Sequence, residues 1–463
     1  MQRMNLLDAS FLLLEDASTP LHMGSVAIFE GPAPSHDEFH QLVRGMLPLS
    51  RRHRQKVRRV PFDLARPVWV DDSHFNLDDH LRRTVLPAPG DDEQLRLLVG
   101  RIMSQQLDRT KPLWELWVVE GLADGTWAQV NKVHHCMVDG LAGIDMTTLI
   151  LDREPETSRP PPESWQPKPE PSHRQLIADA VGSHVTSSTQ SLRWAASALT
   201  HPRQATTRIG ATAKGAASLA GLGRPATATS LTGPIGPHRR WTWSRASIED
   251  VQAVRRAFGG TVNDVVLALV TRGFRDLLLS RGEPVDGVRL RSVVPVSIRR
   301  PGESRSGNRV ASMFAELPVD AVDRVRRLHA ISAQVTHLKD AEQAAAGDDL
   351  IGLSGLAPPV LLAPTLQIAT KLPQYSIATV ITNLPGPPVP LYALGRRMLH
   401  LYPYVPLGWQ VRIGVALISY VGTLHFGFTD DHGFTGDYDS TADLDVLRGG
   451  VEAGLTELIE ALP

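Results

Sequence analysis

Cysteine is nearly absent: Cys136 is the only one in 463 residues, which excludes an intramolecular disulfide and fits a reducing compartment. An excess of either charge is missing too, because 48 Lys and Arg against 49 Asp and Glu leave a formal net charge of -1. Nucleic-acid binders carry a basic excess, so that class of partner has no electrostatic support. No apolar run of membrane-spanning length is uninterrupted. The longest uncharged stretch, residues 350–370, is broken by Pro358, Pro359 and Pro364 and reads as a broken pair of core or interfacial helices. The N-terminus lacks the basic-then-apolar plan of a signal peptide, so the expectation is a cytoplasmic protein with at most peripheral membrane contact. A Gly-x-Ser-x-Gly elbow occurs nowhere, which removes one common nucleophile.

What is present centres on His134-His135-Cys136-Met137-Val138-Asp139-Gly140. The residues before it, 127–133, read as a strand whose alternation sends His134 and His135 to opposite faces. Beyond Gly140, residues 141–150 have helical spacing, which places Asp139 at a strand-to-helix turn. An imidazole with a pKa near ~6.5 suits proton abstraction from a hydroxyl at neutral pH. A buried structural histidine pair is the plain alternative, and residue type and spacing leave both open. Metal binding is disfavoured, because adjacent strand residues diverge and cannot easily share one ion. Cys136 has no closely following base and reads as an apolar filler. With no evident nucleophile, direct transfer between two bound substrates is expected over a covalent intermediate.

A chain of this length exceeds one ordinary core, so two domains are expected. Residues 1–152 mix strand and helix signals. Asp91, Asp92 and Glu93 open a helix with Leu95, Leu98, Ile102 and Met103 on its apolar face, and residues 113–119 read as a strand. Seven prolines between Pro155 and Pro171 have linker composition. In residues 176–236 Asp179 is the only acid, and Leu176, Ile177, Ala180, Val181 and Val185 keep helical spacing. Residues 153–237 are therefore expected to be a linker and helical crossover whose basic surface could touch anionic lipid. Residues 238–463 restart with Ser247 and Asp250 as a near capping box, Gly259-Gly260 as its stop, and a helix beginning at Asn263-Asp264. Strand candidates follow at 292–298, 311–317, 377–382, 411–420 and 424–429, and a helix with Leu444, Leu447, Val451, Leu455 and Leu458 closes the chain. The basic cluster of residues 51–59 reads as a solvated helix end. Two such halves suggest a cleft between them as the binding site.

His134-His135-x-x-x-Asp139-Gly140 resembles the active-site motif of the CoA-dependent acyltransferase superfamily. The whole chain resembles the bacterial wax ester synthase/acyl-CoA:diacylglycerol acyltransferase family, especially its actinobacterial branch. The supporting segments are Leu6-Leu7-Asp8-Ala9-Ser10-Phe11, Pro112-Leu113-Trp114-Glu115, Asn263-Asp264-Val265, Val294-Pro295-Val296-Ser297-Ile298-Arg299, Gly307-Asn308-Arg309 and Thr382-Asn383-Leu384-Pro385-Gly386-Pro387. The resemblance implies an α/β fold of two domains, with mixed sheets meeting around a tunnel that acyl-CoA and an acceptor alcohol enter from different sides. It makes His135 the base, with His134, Asp139 and Gly140 as support, and Asp139 paired to an arginine, for which Arg299 is the candidate.

The same resemblance gives Asn263 and Asp264 a supporting role at a helix N-terminus, whereas composition alone makes Asn263 a helix cap. Pro112, Leu113 and Trp114 are expected to shape the motif's surroundings, and with Asn383, Pro385 and Gly386 they are candidates for the substrate channel. The turn composition of residues 382–387 suggests a backbone role there. The expected acceptor is diacylglycerol, with a long-chain alcohol as the second candidate, at a membrane or lipid-droplet surface. Acyl-CoA is a substrate, and no cofactor or metal is called for. The rivals are a carrier-thioester condensation enzyme, for which no carrier region is evident, and a non-catalytic lipid-binding member of the fold, whose signature would be loss of the base.

Overall fold

A computed structural model describes residues 1–137, 150–156, 165–182, 229–297, 310–345, 376–408, 410–431 and 442–463. Before the low-acid segment the strands are β1 (Gln2–Arg3), β2 (His22–Phe29), β3 (Gln55–Arg58), β4 (Val68–Asp71), β5 (Leu81–Val85), β6 (Trp114–Glu120) and β7 (Trp127–His134). After it come β8 (Arg239–Ser247), β9 (Leu290–Ser297), β10 (Val310–Leu317), β11 (Thr379–Leu384), β12 (Tyr392–Ala393), β13 (Arg396–Tyr404), β14 (Ile413–Tyr420) and β15 (Thr423–Asp431). They form two mixed six-stranded sheets, ordered β12-β13-β2-β7-β6-β5 and β10-β9-β11-β14-β15-β8, and a small sheet β1-β4-β3.

The first sheet draws strands from both ends of the chain. β13 pairs antiparallel with β2, from Met398 opposite Phe29 to Tyr404 opposite Gly24. The end of the first half also bridges to this late strand pair, Asp152 N donating to Tyr392 O at 2.9 Å and Tyr392 N to Asp152 O at 2.8 Å. Where the sheets meet, Gly427 of β15 lies so close to β13 that a Cβ would stand 1.8 Å from the Pro403 carbonyl oxygen. Trp241 Nε1 donates to that same oxygen at 3.1 Å. Only glycine permits this approach, and the contact fixes the spacing between the sheets.

The helices form where their capping residues put them, the first two of them in addition to those the sequence pattern located. α1 (Leu6–Leu14) starts at Asn5, α2 (His36–Met46) at a Ser35/Glu38 capping box, and α3 (Asp92–Ser104) at Asp91. Leu95, Ile102 and Met103 face the core as the spacing requires, with Leu98 partly buried against it. The helix Ile248–Phe258 is capped by Ser247 and ends at Gly259. The helix Val262–Ser280 buries Val265, Val266, Leu269, Phe274 and Leu277, and it packs on the closing helix Ala442–Glu460 through Leu447 and Val451.

Three expectations change. Residues 51–59 are not a helix end: Arg51–Arg54 form one 3-10 turn and β3 follows. Arg51 bonds to Asp71 and Arg54 lies 4.6 Å from the Trp165 ring, so these cations are absorbed by local partners. Residues 173–182 are helical and bury Leu176 and Ala180 on Val60, Val68 and Val70, but Val181 is 54% exposed, being turned about 100° from Ala180. Thr382, Asn383 and Leu384 complete β11 rather than a turn, because each pairs with β14. Val185 and residues 350–370 lie outside the described residues.

Adjacent glycines in the closing helix supply an internally controlled test. A Cβ on Gly450 would come 2.7 Å from Gly273 Cα, whereas nothing lies within 4 Å of one on Gly449. Gly449→Ala should therefore stabilise by about 0.5–1 kcal/mol through helix propensity, and Gly450→Ala should destabilise by about 1–3 kcal/mol through overpacking. Urea midpoints of the two variants should move in opposite directions.

Candidate active site

β2 and β7 run antiparallel, and their pairing reaches its end at His22 opposite His134. His134 N donates to Leu113 O and His135 N to Leu21 O, both at 2.9 Å, before the chain enters the 3-10 turn His135–Met137. The two imidazoles part there. His134 is fully buried, and its Nδ1 accepts from Cys136 N at 3.1 Å. His135 stacks on Phe11, ring centroids 3.8 Å apart, and lines a cavity of about 440 Å³.

That cavity lies between the sheets and is predominantly apolar. Leu14, Leu21 and Met23 enter from the first half, and Val380, Val405 and Val411 from the second. Burial pushes the His135 pKa down to about 4 and outweighs the opposing pull of its own backbone carbonyl. A neutral imidazole on an apolar wall can accept a proton from a bound hydroxyl. Burial also pushes the Cys136 thiol up, so this sulfur stays protonated and packed against Met4, Leu12 and Leu113.

Behind the histidines sits a carboxylate that local sequence reasoning missed. Glu15 follows α1 directly and is almost wholly buried. Its Oε2 accepts from Arg109 Nη2 at 2.6 Å and Nε at 3.1 Å, and its Oε1 accepts from Leu21 N at 3.2 Å. His22 Nε2 stands 3.2 Å from Oε1 and His134 Nε2 3.4 Å from Oε2. The longer contact is electrostatic rather than a well-formed hydrogen bond. Burial alone would raise the Glu15 pKa, but contacts with His134 and His22 prevail and hold it well below the carboxylate range. One local hint existed: an acid at a helix C-terminus opposes the helix dipole and so implies a tertiary partner.

Other candidates fall elsewhere. Trp114 and Leu113 belong to the core rather than the channel: Trp114 Nε1 donates to His53 O at 2.9 Å and its ring stacks on His80, while Leu113 packs beside Cys136. Pro112 is likewise buried, and its carbonyl accepts from Trp114 N at 3.0 Å. Asn263 is not a cap. Thr261 caps that helix, reciprocated by Asp264, whose Oδ2 accepts from Thr261 N at 2.8 Å, and this leaves Asn263 in the first turn. Along β11, Val380 and Thr382 line the cavity, so alternation turns Asn383 away from it. Pro385 is exposed, and Gly386 N donates to Ser419 Oγ at 3.0 Å where a Cβ would meet the Ser419 carbonyl at 2.0 Å. Gly386 thus serves a close backbone contact and not the channel wall. Asp139, Gly140 and Arg299 lie outside the described residues. Among the described residues no group of three His, Cys, Asp or Glu is placed to hold a metal, and no helix is long and apolar enough to cross a membrane.

Residues 4–266 match the family described as the wax ester synthase/diacylglycerol acyltransferase catalytic domain, and residues 306–448 match its C-terminal domain. The chain is 37% identical over 442 residues to the probable diacylglycerol O-acyltransferase tgs1 of Mycobacterium tuberculosis (strain H37Rv), covering 93% of this chain and 91% of that protein. Among solved structures it is similar to the wax ester synthase/diacylglycerol acyltransferase from Marinobacter aquaeolei VT8, with a TM-score of 0.70 and 25% identity over 99% of this chain and 98% of that one. It shares the fold alone with a starter condensation domain of rhizomide synthetase, TM-score 0.60 at 13% identity over 100% and 95% of the two chains.

The low pKa of His135 can be read directly. In isotope-labelled protein its ring resonance should stay at the neutral-imidazole position down to about pH 5, where an ordinary histidine with a pKa near ~6.5 is mostly protonated. A midpoint near the ordinary value would show that this ring is not held in a dry site.

Proposed function

The chain belongs to the wax ester synthase/diacylglycerol acyltransferase family, and from that premise we propose that it moves a fatty acyl group from acyl-CoA to the hydroxyl of diacylglycerol, forming triacylglycerol, with His135 as general base. The observation that carries the assignment of the base is a neutral imidazole on the wall of an apolar cavity shared by both sheets. A long-chain alcohol, giving a wax ester, is the second acceptor such a cavity suits. His135 takes the hydroxyl proton as the acceptor oxygen attacks the thioester carbonyl. The C–S bond then breaks, and the proton passes from the imidazole to the departing CoA sulfur. Acyl-CoA is a substrate, and the reaction draws on no cofactor or metal. Asp139 and Gly140 support the turn and Arg299 is the proposed partner of Asp139.

His135→Ala should lose at least ~10²–10⁴-fold in turnover while staying folded, the range typical of a general base. Cys136→Ala should keep most of it, because the buried, protonated thiol has no part in direct transfer. Purified protein with labelled acyl-CoA and diacylglycerol reports both. Stoichiometric label on denatured protein in the absence of acceptor would overturn direct transfer.

Both substrates carry long apolar chains, so we also propose peripheral contact with a membrane or lipid droplet through the low-acid segment 176–236. Its arginines can each contribute about 1 kcal/mol at an anionic surface. Replacing Arg193, Arg203 and Arg208 with Glu should weaken sedimentation with anionic vesicles and spare turnover of a detergent-dispersed acceptor. Undiminished vesicle binding would remove this segment from the interface.

A further inference from the structure

We propose that Glu15 is the positioning residue of this site, holding both backbone amides that flank the His135 ring, one through Leu21 and one through His134. The proposal rests on His135 being the base. The first route is covalently short: Glu15 Oε1 accepts from Leu21 N at 3.2 Å, and the carbonyl of the same Leu21 accepts from His135 N at 2.9 Å. The second runs through an imidazole. Cys136 N can only donate, so the His134 Nδ1 that it meets at 3.1 Å must carry a lone pair. The neutral ring then bears its proton on Nε2, the atom facing Glu15 Oε2 at 3.4 Å.

An ionised carboxylate supports this tautomer and disfavours the other, whose Nε2 lone pair would face an anion. His22 Nε2 stands 3.2 Å from Oε1 but accepts from Leu107 N at 3.4 Å, and Arg109 supplies the counter-charge. Arg109 also donates to Leu12 O at 3.2 Å, which ties the carboxylate to the last turn of α1, the helix that carries Phe11 against the His135 ring. Leu21 N and Arg109 therefore set a donor against each carboxylate oxygen. A carboxamide of the same shape would set its NH₂ against at least one of them.

The test uses the full chain with labelled histidine. In the wild type, long-range proton–nitrogen spectra should show His134 protonated at Nε2 and bare at Nδ1. In Glu15→Gln, kcat should fall about 10–100-fold, as a misplacement on the order of 1 Å would produce, while KM for acyl-CoA stays within about twofold. Wild-type His134 protonated at Nδ1 would overturn the proposal, and this reading needs no variant to fold. So would a Glu15→Gln enzyme with undiminished kcat, or one whose loss lies wholly in KM. The spectrum reports the hold on the turn whether or not His135 is the base, which His135→Ala tests by itself.

Discussion

The antiparallel pairing of β2 with β7 is the constraint on which the site depends. While the ladder lasts, each residue of β7 is committed to one face of the sheet, and His134 is its last committed residue. One residue further the backbone leaves the pleat, and His135 comes to the cavity rather than to another layer of core. Two neighbouring imidazoles thus receive opposite environments with no difference in residue type. A slip of one position in this register would exchange them, burying His135 and exposing His134.

The cavity itself is a property of the pair of sheets. Neither half of the chain builds its own closed layer, because β12 and β13 leave the second half to complete the first sheet. The sheets are then drawn together where Gly427 meets Pro403 and Trp241, and the space left between them at the strand ends is lined from both sides by aliphatic side chains. Such a lining suits an acyl chain and keeps bulk water from competing with the acceptor hydroxyl.

Local pattern made much of this legible. Period-2 and period-3.6 spacing located the strands β6, β7 and β9 and the closing helix, and the acids from Asp91 to Glu93 and the cap Ser247 marked helix starts. The histidine motif stood out because its spacing is contained in seven consecutive residues, while the choice of His135 over His134 came from the family resemblance. What stayed hidden was pairing at a distance. Nothing within β13 says that its partner lies some 370 residues earlier, and nothing around Glu15 says that His134 will be folded onto it. Trp114 shows the converse. Its motif sits beside the reactive turn in space, yet the ring is consumed by packing on His80 and His53.

Burial presents an apparent conflict for the proposed base, since the dry site that excludes water also weakens it. A pKa of about 4 describes the resting imidazole, whose protonated form would be an isolated cation among aliphatic groups. In the proposed acyl transfer the cation does not form alone. As the hydroxyl proton moves to His135, negative charge develops on the thioester oxygen a few bonds away, and the pair is created together in the same low dielectric. Attraction between opposite charges strengthens in that medium as solvation weakens, so the interaction missing from the resting state becomes available at the transition state. A base depressed by burial is consistent with catalysis on that account, provided that the ring is held where the two charges meet. Rigid support from the buried groups behind the ring therefore matters more here than the basicity of the free imidazole.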